Sequence, residues 1–164
     1  MVKVAIFMGS ISDEEKMRPC SQVLNDLGVE HLFTVTSAHR TPERTARLVA
    51  ELEAGGCQVF ICAAGMAAHL AGAVAAKTAK PVIGVPLSAS ALGGMDALLS
   101  TVMMPPGFPV GTVALDSAGA RNAAWLAAQI LALSDPELAG RITKAREGFV
   151  ASVEKAAASL EEKK

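Results

Sequence analysis

Five short runs of strand-forming residues recur along the chain, each followed by a segment of helical pattern. Few folds accommodate that alternation. The runs are residues 2–8, 30–36, 57–63, 81–86 and 110–115. The first is apolar at every position after Met1 except Lys3, and it stops at Gly9. A strand apolar at successive positions is buried on both faces, as in a parallel sheet with helices on each side. The helical segments begin and end on recognisable signals. Ser12-Asp13-Glu14-Glu15 reads as a capping box with Ser12 at the cap, and that helix stops at Gly28. Pro19 falls early enough in it to be tolerated. Thr41-Pro42 opens a second helix, which ends at Gly55-Gly56. Further helices are predicted over 66–77, 92–103 and 118–133, and a last one from Asp135-Pro136-Glu137 toward Leu160.

Strands alternating with helices at this spacing form βαβ units and a parallel sheet. The fold predicted is α/β: a flavodoxin-like three-layer α/β/α sandwich with a five-stranded parallel sheet and an additional C-terminal helix. The chain reads as a single domain over 1–164, with a doubly wound core at 1–134 and the C-terminal helix at 135–164. Two helices ask for extra cover. The 118–133 segment is apolar nearly all round its circumference. The last helix carries a stripe of Ile142, Ala145, Phe149, Val153, Ala156 and Leu160, which packs either on its own domain or on another subunit. A homo-oligomer is expected.

Composition removes several classes of function. Hydrophobic residues make up 51% of the chain and the net charge is −1, so the chain is not disordered overall. Fifteen basic against 16 acidic residues, with no basic run, exclude a nucleic-acid backbone binder. Cys20, Cys57 and Cys62 have no metal-ligand spacing, and their odd number argues against a disulfide framework. Cys57 and Cys62, five apart in one predicted strand, are expected on opposite faces, as small buried hydrophobes in a reducing compartment. The apolar N-terminus is too short for a signal peptide. Residues 57–76 are apolar enough to imitate a membrane span, but Gln58, Gly65, His69 and Gly72 interrupt them; they read as a buried strand and helix. A cytoplasmic location is expected.

In doubly wound sheets ligands bind beyond the carboxyl ends of the strands, at the topological switch point. Three segments lie there. Gly9-Ser10-Ile11-Ser12-Asp13 follows the first strand and opens a helix, where free amides attract phosphate. Ser10 and Ser12 add hydroxyls, and Asp13 suits sugar hydroxyls. The same residues would serve equally as an ordinary helix cap. Ser37-Ala38-His39-Arg40-Thr41-Pro42 follows the second strand. It offers a guanidinium fork for phosphate or carboxylate and an imidazole titrating near neutrality. Ala63-Ala64-Gly65-Met66-Ala67-Ala68-His69-Leu70 follows the third, with small residues that admit a ligand to the backbone. On its own, His69 early in an apolar helix reads as a hydrogen-bonded buried histidine. His31 reads as exposed and idle. Phosphate-loop, dinucleotide-binding, zinc-protease and serine-hydrolase motifs are missing. The residues point to a small phosphorylated ligand and histidine acid–base chemistry.

Taken in order, these segments resemble the N5-carboxyaminoimidazole ribonucleotide mutase family of de novo purine biosynthesis. Further motifs fit it: Pro81-Val82-Ile83-Gly84-Val85-Pro86, Met95-Asp96-Ala97-Leu98-Leu99-Ser100, Met104-Pro105, Pro109-Val110 and Asn122-Ala123-Ala124. The resemblance covers about residues 4–134. It implies a flavodoxin-like subunit, an octamer, and conversion of N5-carboxyaminoimidazole ribonucleotide to 4-carboxy-5-aminoimidazole ribonucleotide through a carbon dioxide intermediate. No metal, ATP or organic cofactor is expected. Carried over by motif, Arg40 binds the phosphate and Asp13 the ribose, with Ser10, Ser12 and Ser37 assisting. His39 is the acid–base, and Gly65, Ala67, Ala68, His69 and Leu70 line the pocket for base and carboxylate. Met66, Ala71, Met103 and Pro106 depart from the family's usual glycine, proline, glutamine and glycine. A related branch carboxylates aminoimidazole ribonucleotide directly. It tends to carry lysine at the position of Arg40 and lacks the Ala67-Ala68-His69-Leu70 run. The alternative of another class is a non-catalytic flavodoxin-like binder of a phosphorylated ligand.

Overall fold

The computed structural model describes residues 1–162. Five parallel strands form one sheet: β1 (Val4–Met8), β2 (His31–Val35), β3 (Val59–Gly65), β4 (Val82–Leu87) and β5 (Gly111–Thr112), in the order β2-β1-β3-β4-β5. The helices are α1 (Glu14–Asp26), α2 (Pro42–Ala54), α3 (Leu70–Ala75), α4 (Met95–Val102), α5 (Asp116–Ala132) and α6 (Pro136–Glu161). The predicted doubly wound α/β sandwich is what forms. Every residue of β1 is buried because the strand lies inside the sheet, between β2 and β3, and is covered on both faces. Val4, Ile6 and Met8 face α1 and α5, whereas Ala5 and Phe7 face α2 and α3. Parallel pairing in register (Val4 beside His31 and Val59) brings the carboxyl ends of β1, β2 and β3 to one edge.

Small residues set the layer spacing. Gly119, Ala120, Ala123, Ala124, Ala127 and Ala128 form the buried face of α5, which lets that helix lie close to the sheet and to α1. Part of its other side is covered by α6, through Leu138 and Ile142 and an edge-to-face contact of Trp125 with Phe149 (centroids 5.6 Å apart). Beyond that contact the stripe of α6 is open: Phe149, Val153 and Leu160 are each more than half exposed.

Several boundaries differ from the sequence expectation. The capping box uses Ser10 and Asp13, not Ser12 and Glu15. Ser10 caps a short 3-10 turn (Ile11–Asp13) that precedes α1. The helix predicted over 66–77 is reduced to α3, because Met66 (φ 56°) and Ala68 (φ 42°) are left-handed. A run of small apolar residues carries no period to distinguish helix from loop. β5 is only two residues long at the sheet's edge. Cys57 and Cys62 fall in the same core layer, because Cys57 precedes β3 and escapes its pleat. All three cysteines are buried and free, and burial pushes their thiols up, that of Cys20 to about 12, so none is a ready nucleophile. His31 is half-buried and bonded to Ser21 Oγ (2.7 Å) and the Val29 carbonyl (2.9 Å), holding the start of β2 to α1 instead of standing idle. Among the described residues no helix is long and apolar enough to cross a membrane.

Candidate functional site

The strand order reverses direction between β1 and β3, and there the loops after β1, β2 and β3 enclose a cavity of about 460 Å³. Its wall is completed by Ala89 from the loop after β4. Four larger hollows, of about 590 to 770 Å³, are lined by residues of other segments, and the one histidine in their walls is His31, whose ring is already bonded to Ser21 and Val29. The chemistry therefore belongs to the smaller cavity.

Each loop is held by its own sequence. Gly9 leaves β1 with its N–H on the Ala63 carbonyl (3.1 Å). Asp13 Oδ2 then accepts from the Ser10 N–H (3.1 Å), and Ser12 donates from both N–H (3.3 Å) and Oγ (2.9 Å) to Ser10 Oγ. Burial raises the Asp13 carboxyl above its ordinary value; the Ser10 amide and the charges of Lys16 and Arg40 pull it partly back. In the second loop Ser37 Oγ accepts from the Arg40 N–H (3.1 Å), and Thr41 Oγ1 from the Ser37 N–H (3.0 Å). Those bonds fix the backbone on either side of His39. Arg40 Nη2 reaches across to the Gly9 carbonyl (3.1 Å), which places a cation beside Asp13 and leaves the other guanidinium donors free of protein partners.

The third loop closes the back of the cavity. A Cβ on Gly65 would lie 2.5 Å from Ala89 Cβ and 3.1 Å from the Leu87 carbonyl, so only glycine lets the loops after β3 and β4 meet. Ala67, Ala68 and Leu70 line the wall beyond it, and Met66 is exposed at the mouth. His69 precedes α3 and is exposed, contrary to the buried histidine expected from its position alone. Its Nδ1 lies 2.8 Å from His39 Nε2, with the rings edge-to-face at 77°. One of these nitrogens carries the proton and the other accepts it, so the two imidazoles form a hydrogen-bonded pair with one shared proton.

The cavity therefore gathers Ser10, Ser12, Asp13, Ser37, His39, Arg40, Gly65, Ala67, Ala68, His69 and Leu70, every residue singled out from the sequence. Sequence reasoning missed Ala89. The test that found the other loops, position just after a strand, would have reached it through the loop following β4. Among the described residues no cluster of His, Cys, Asp and Glu could hold a metal ion. A cation at one end, a carboxylate beside it, a histidine pair and an apolar floor suit a phosphorylated ligand undergoing proton transfer.

Comparison with known proteins adds the chemistry of relatives. The sequence profile of the AIR carboxylase family matches residues 3–151. The chain is 50% identical over 147 residues to the N5-carboxyaminoimidazole ribonucleotide mutase of Pyrococcus abyssi, covering 90% of this chain and 83% of that protein. It is 51% identical over 140 residues to the Escherichia coli protein of the same name, covering 85% and 83%. Its fold superposes on a crystal structure of a Treponema denticola PurE2 variant with a TM-score of 0.89, at 28% identity over 98% of this chain and 99% of that one.

Proposed function

The chain belongs to the AIR carboxylase family, and from that premise we infer that it converts N5-carboxyaminoimidazole ribonucleotide to 4-carboxy-5-aminoimidazole ribonucleotide in purine biosynthesis. The observation that carries this reading is identity at about half of the aligned positions, over most of the chain, to relatives that bear the mutase name.

The geometry supports a division of labour. Arg40 holds the phosphate with its free donors, helped by the Ser10 and Ser12 hydroxyls. Asp13, beside the charges of Lys16 and Arg40, accepts from the ribose hydroxyls, and Ser37 keeps the Arg40 backbone in place. The base and its carboxylate lie against Gly65, Ala67, Ala68 and Leu70. In the reaction the N–carboxylate bond breaks with its electron pair left on nitrogen, which takes a proton from His39. The ring carbon then attacks the released carbon dioxide, and the proton on that carbon returns to His39. The proton given equals the proton removed, so one imidazole suffices and no net acid is produced. His69 keeps the His39 ring oriented through the 2.8 Å contact. The apolar floor excludes water while carbon dioxide is free. The residues supply this chemistry without metal, ATP or organic cofactor.

We read the assembly as a homo-oligomer, an octamer as the family resemblance implies, located in the cytoplasm. The exposed apolar residues of α6, and Met95, Leu99 and Val102 on α4, favour burial against further copies.

The test supplies purified protein with N5-carboxyaminoimidazole ribonucleotide or, in parallel, with aminoimidazole ribonucleotide and high bicarbonate. Efficient turnover of the first and weak turnover of the second is expected. Preference for the second would make it a direct carboxylase, and inactivity on both would leave a ligand-binding module. Arg40→Ala should weaken nucleotide affinity by about 1.5–3 kcal/mol, the range for a charged hydrogen bond, or roughly 10- to 150-fold. Titration calorimetry with the product measures this, and unaltered affinity would remove Arg40 from the phosphate site.

A further inference from the structure

Behind the cavity, outside its lining, a charged group joins three elements that are distant in sequence. Lys16, in the first turn of α1, donates from Nζ to the Ser88 carbonyl (2.9 Å) and to Ser88 Oγ (3.0 Å) and pairs with Asp116 Oδ1 (2.8 Å). Asp116, at the start of α5, accepts from the Ser88 N–H at Oδ1 (2.9 Å) and from Ser88 Oγ at Oδ2. Every polar group of Ser88 is thereby engaged, and the three Lys16 donors are all used. The next residue is Ala89, which packs on Gly65 in the cavity wall.

Two further observations mark the group as more than a surface ion pair. Asp116 has φ 54°, a left-handed conformation unfavourable for a residue with a side chain and kept only where its surroundings require it. Its carboxyl also stays ionised: desolvation raises it, but the Lys16 and Ser88 hydrogen bonds outweigh that and hold it below the usual carboxylate range.

We propose that Lys16, Ser88 and Asp116 form a positioning clamp that fixes the loop after β4, and with it Ala89, against Gly65, so that the back wall of the reaction cavity stays closed while carbon dioxide is free. The proposal rests on the mutase reading. None of the three residues lines the cavity, so the clamp acts through the loop. The phosphate and ribose contacts belong to other loops. Loosening the wall therefore slows the chemical step and lets carbon dioxide escape, with substrate binding left in place.

Asp116→Gly is the informative variant, because glycine favours the backbone conformation already present and the fold is kept. Lys16→Met removes the other partner. Each is expected to lower kcat about tenfold, with KM within twofold of wild type, and to raise incorporation of labelled bicarbonate into product severalfold. The double variant should be no worse than either single one, since both break one device. Asp116→Asn, which keeps an acceptor for Ser88 and tolerates the left-handed backbone, should recover most of kcat. Hydrogen exchange in residues 88–94 should quicken in both single variants while melting temperature changes by a few degrees at most. Unchanged kcat and exchange, additive losses in the double variant, or a rise in KM alone would each overturn the clamp. If wild-type protein fails to turn over the substrate, the mutase reading falls, and the exchange measurement still decides whether the clamp holds the loop.

Discussion

Replacing His39 with asparagine is expected to reduce turnover by about 10²- to 10⁴-fold, the usual contribution of a positioned acid–base group, with affinity for the ribonucleotide nearly unchanged. Asparagine keeps a polar planar group that can bond His69 Nδ1, so the pair's geometry has a substitute. It cannot take up and return a proton, which the isomerisation needs once in each direction. The fold gives no reason for collateral damage: His39 is exposed, and the backbone on both sides of it is fixed by Ser37 and Thr41 hydrogen bonds that the substitution does not touch. Rapid-quench turnover and titration calorimetry on the same preparation separate the two effects. His69→Asn is the companion measurement. If His69 only orients the His39 ring, its loss should cost less than that of His39. Equal turnover of His39→Asn and wild type would assign the proton to another group, and a larger loss in His69→Asn would exchange the two roles.

The architecture was legible because a five-stranded parallel sheet writes itself as apolar runs at regular spacing. The candidate cavity was legible because the carboxyl edge of such a sheet is a fixed address, and His39, Arg40 and Asp13 line the cavity found there. Local pattern failed where non-local packing decides. Residues 66–69 look helical by composition, yet the backbone there turns left-handed at Met66 and Ala68 so that the loop can pass over the cavity. That also explains why His69 faces the cavity instead of a core. The choice of Ser10 over Ser12 as the cap depends on where β1 releases the chain, a tertiary matter. The clamp was invisible for a simpler reason: Lys16 and Ser88 lie 72 positions apart, and nothing near either residue announces the other. The short β5 follows from its edge position, where one neighbour supplies few ladder bonds.

Gly119→Ala is expected to destabilise the protein by more than about 3 kcal/mol, beyond the usual overpacking cost, because the obstacle is backbone. A Cβ at this buried position would stand 1.6 Å from the Ala114 carbonyl oxygen and 2.5 Å from its carbon. Neither side has freedom to retreat. The segment before α5 is tied to β4 through the Val113 N–H on the Gly84 carbonyl (3.1 Å), and Asp116 is pinned by Ser88. Gly119 itself donates to the Leu115 carbonyl (3.2 Å) as the helix begins, and the added Cβ would also stand 3.3 Å from Val85 Cγ1. Relief requires moving α5 off the sheet, which opens the alanine-lined interface that lets α1, α5 and β4 approach. Against a total stability of ~5–15 kcal/mol such a loss leaves little margin. Gly140→Ala, in α6 with nothing within 4 Å of its added Cβ, should instead stabilise by roughly 0.5–1 kcal/mol through helix propensity. Urea unfolding of both variants measures the contrast. A Gly119→Ala midpoint close to wild type would mean that the turn between β5 and α5 yields freely, and the rigidity assigned to Asp116 would fall with it.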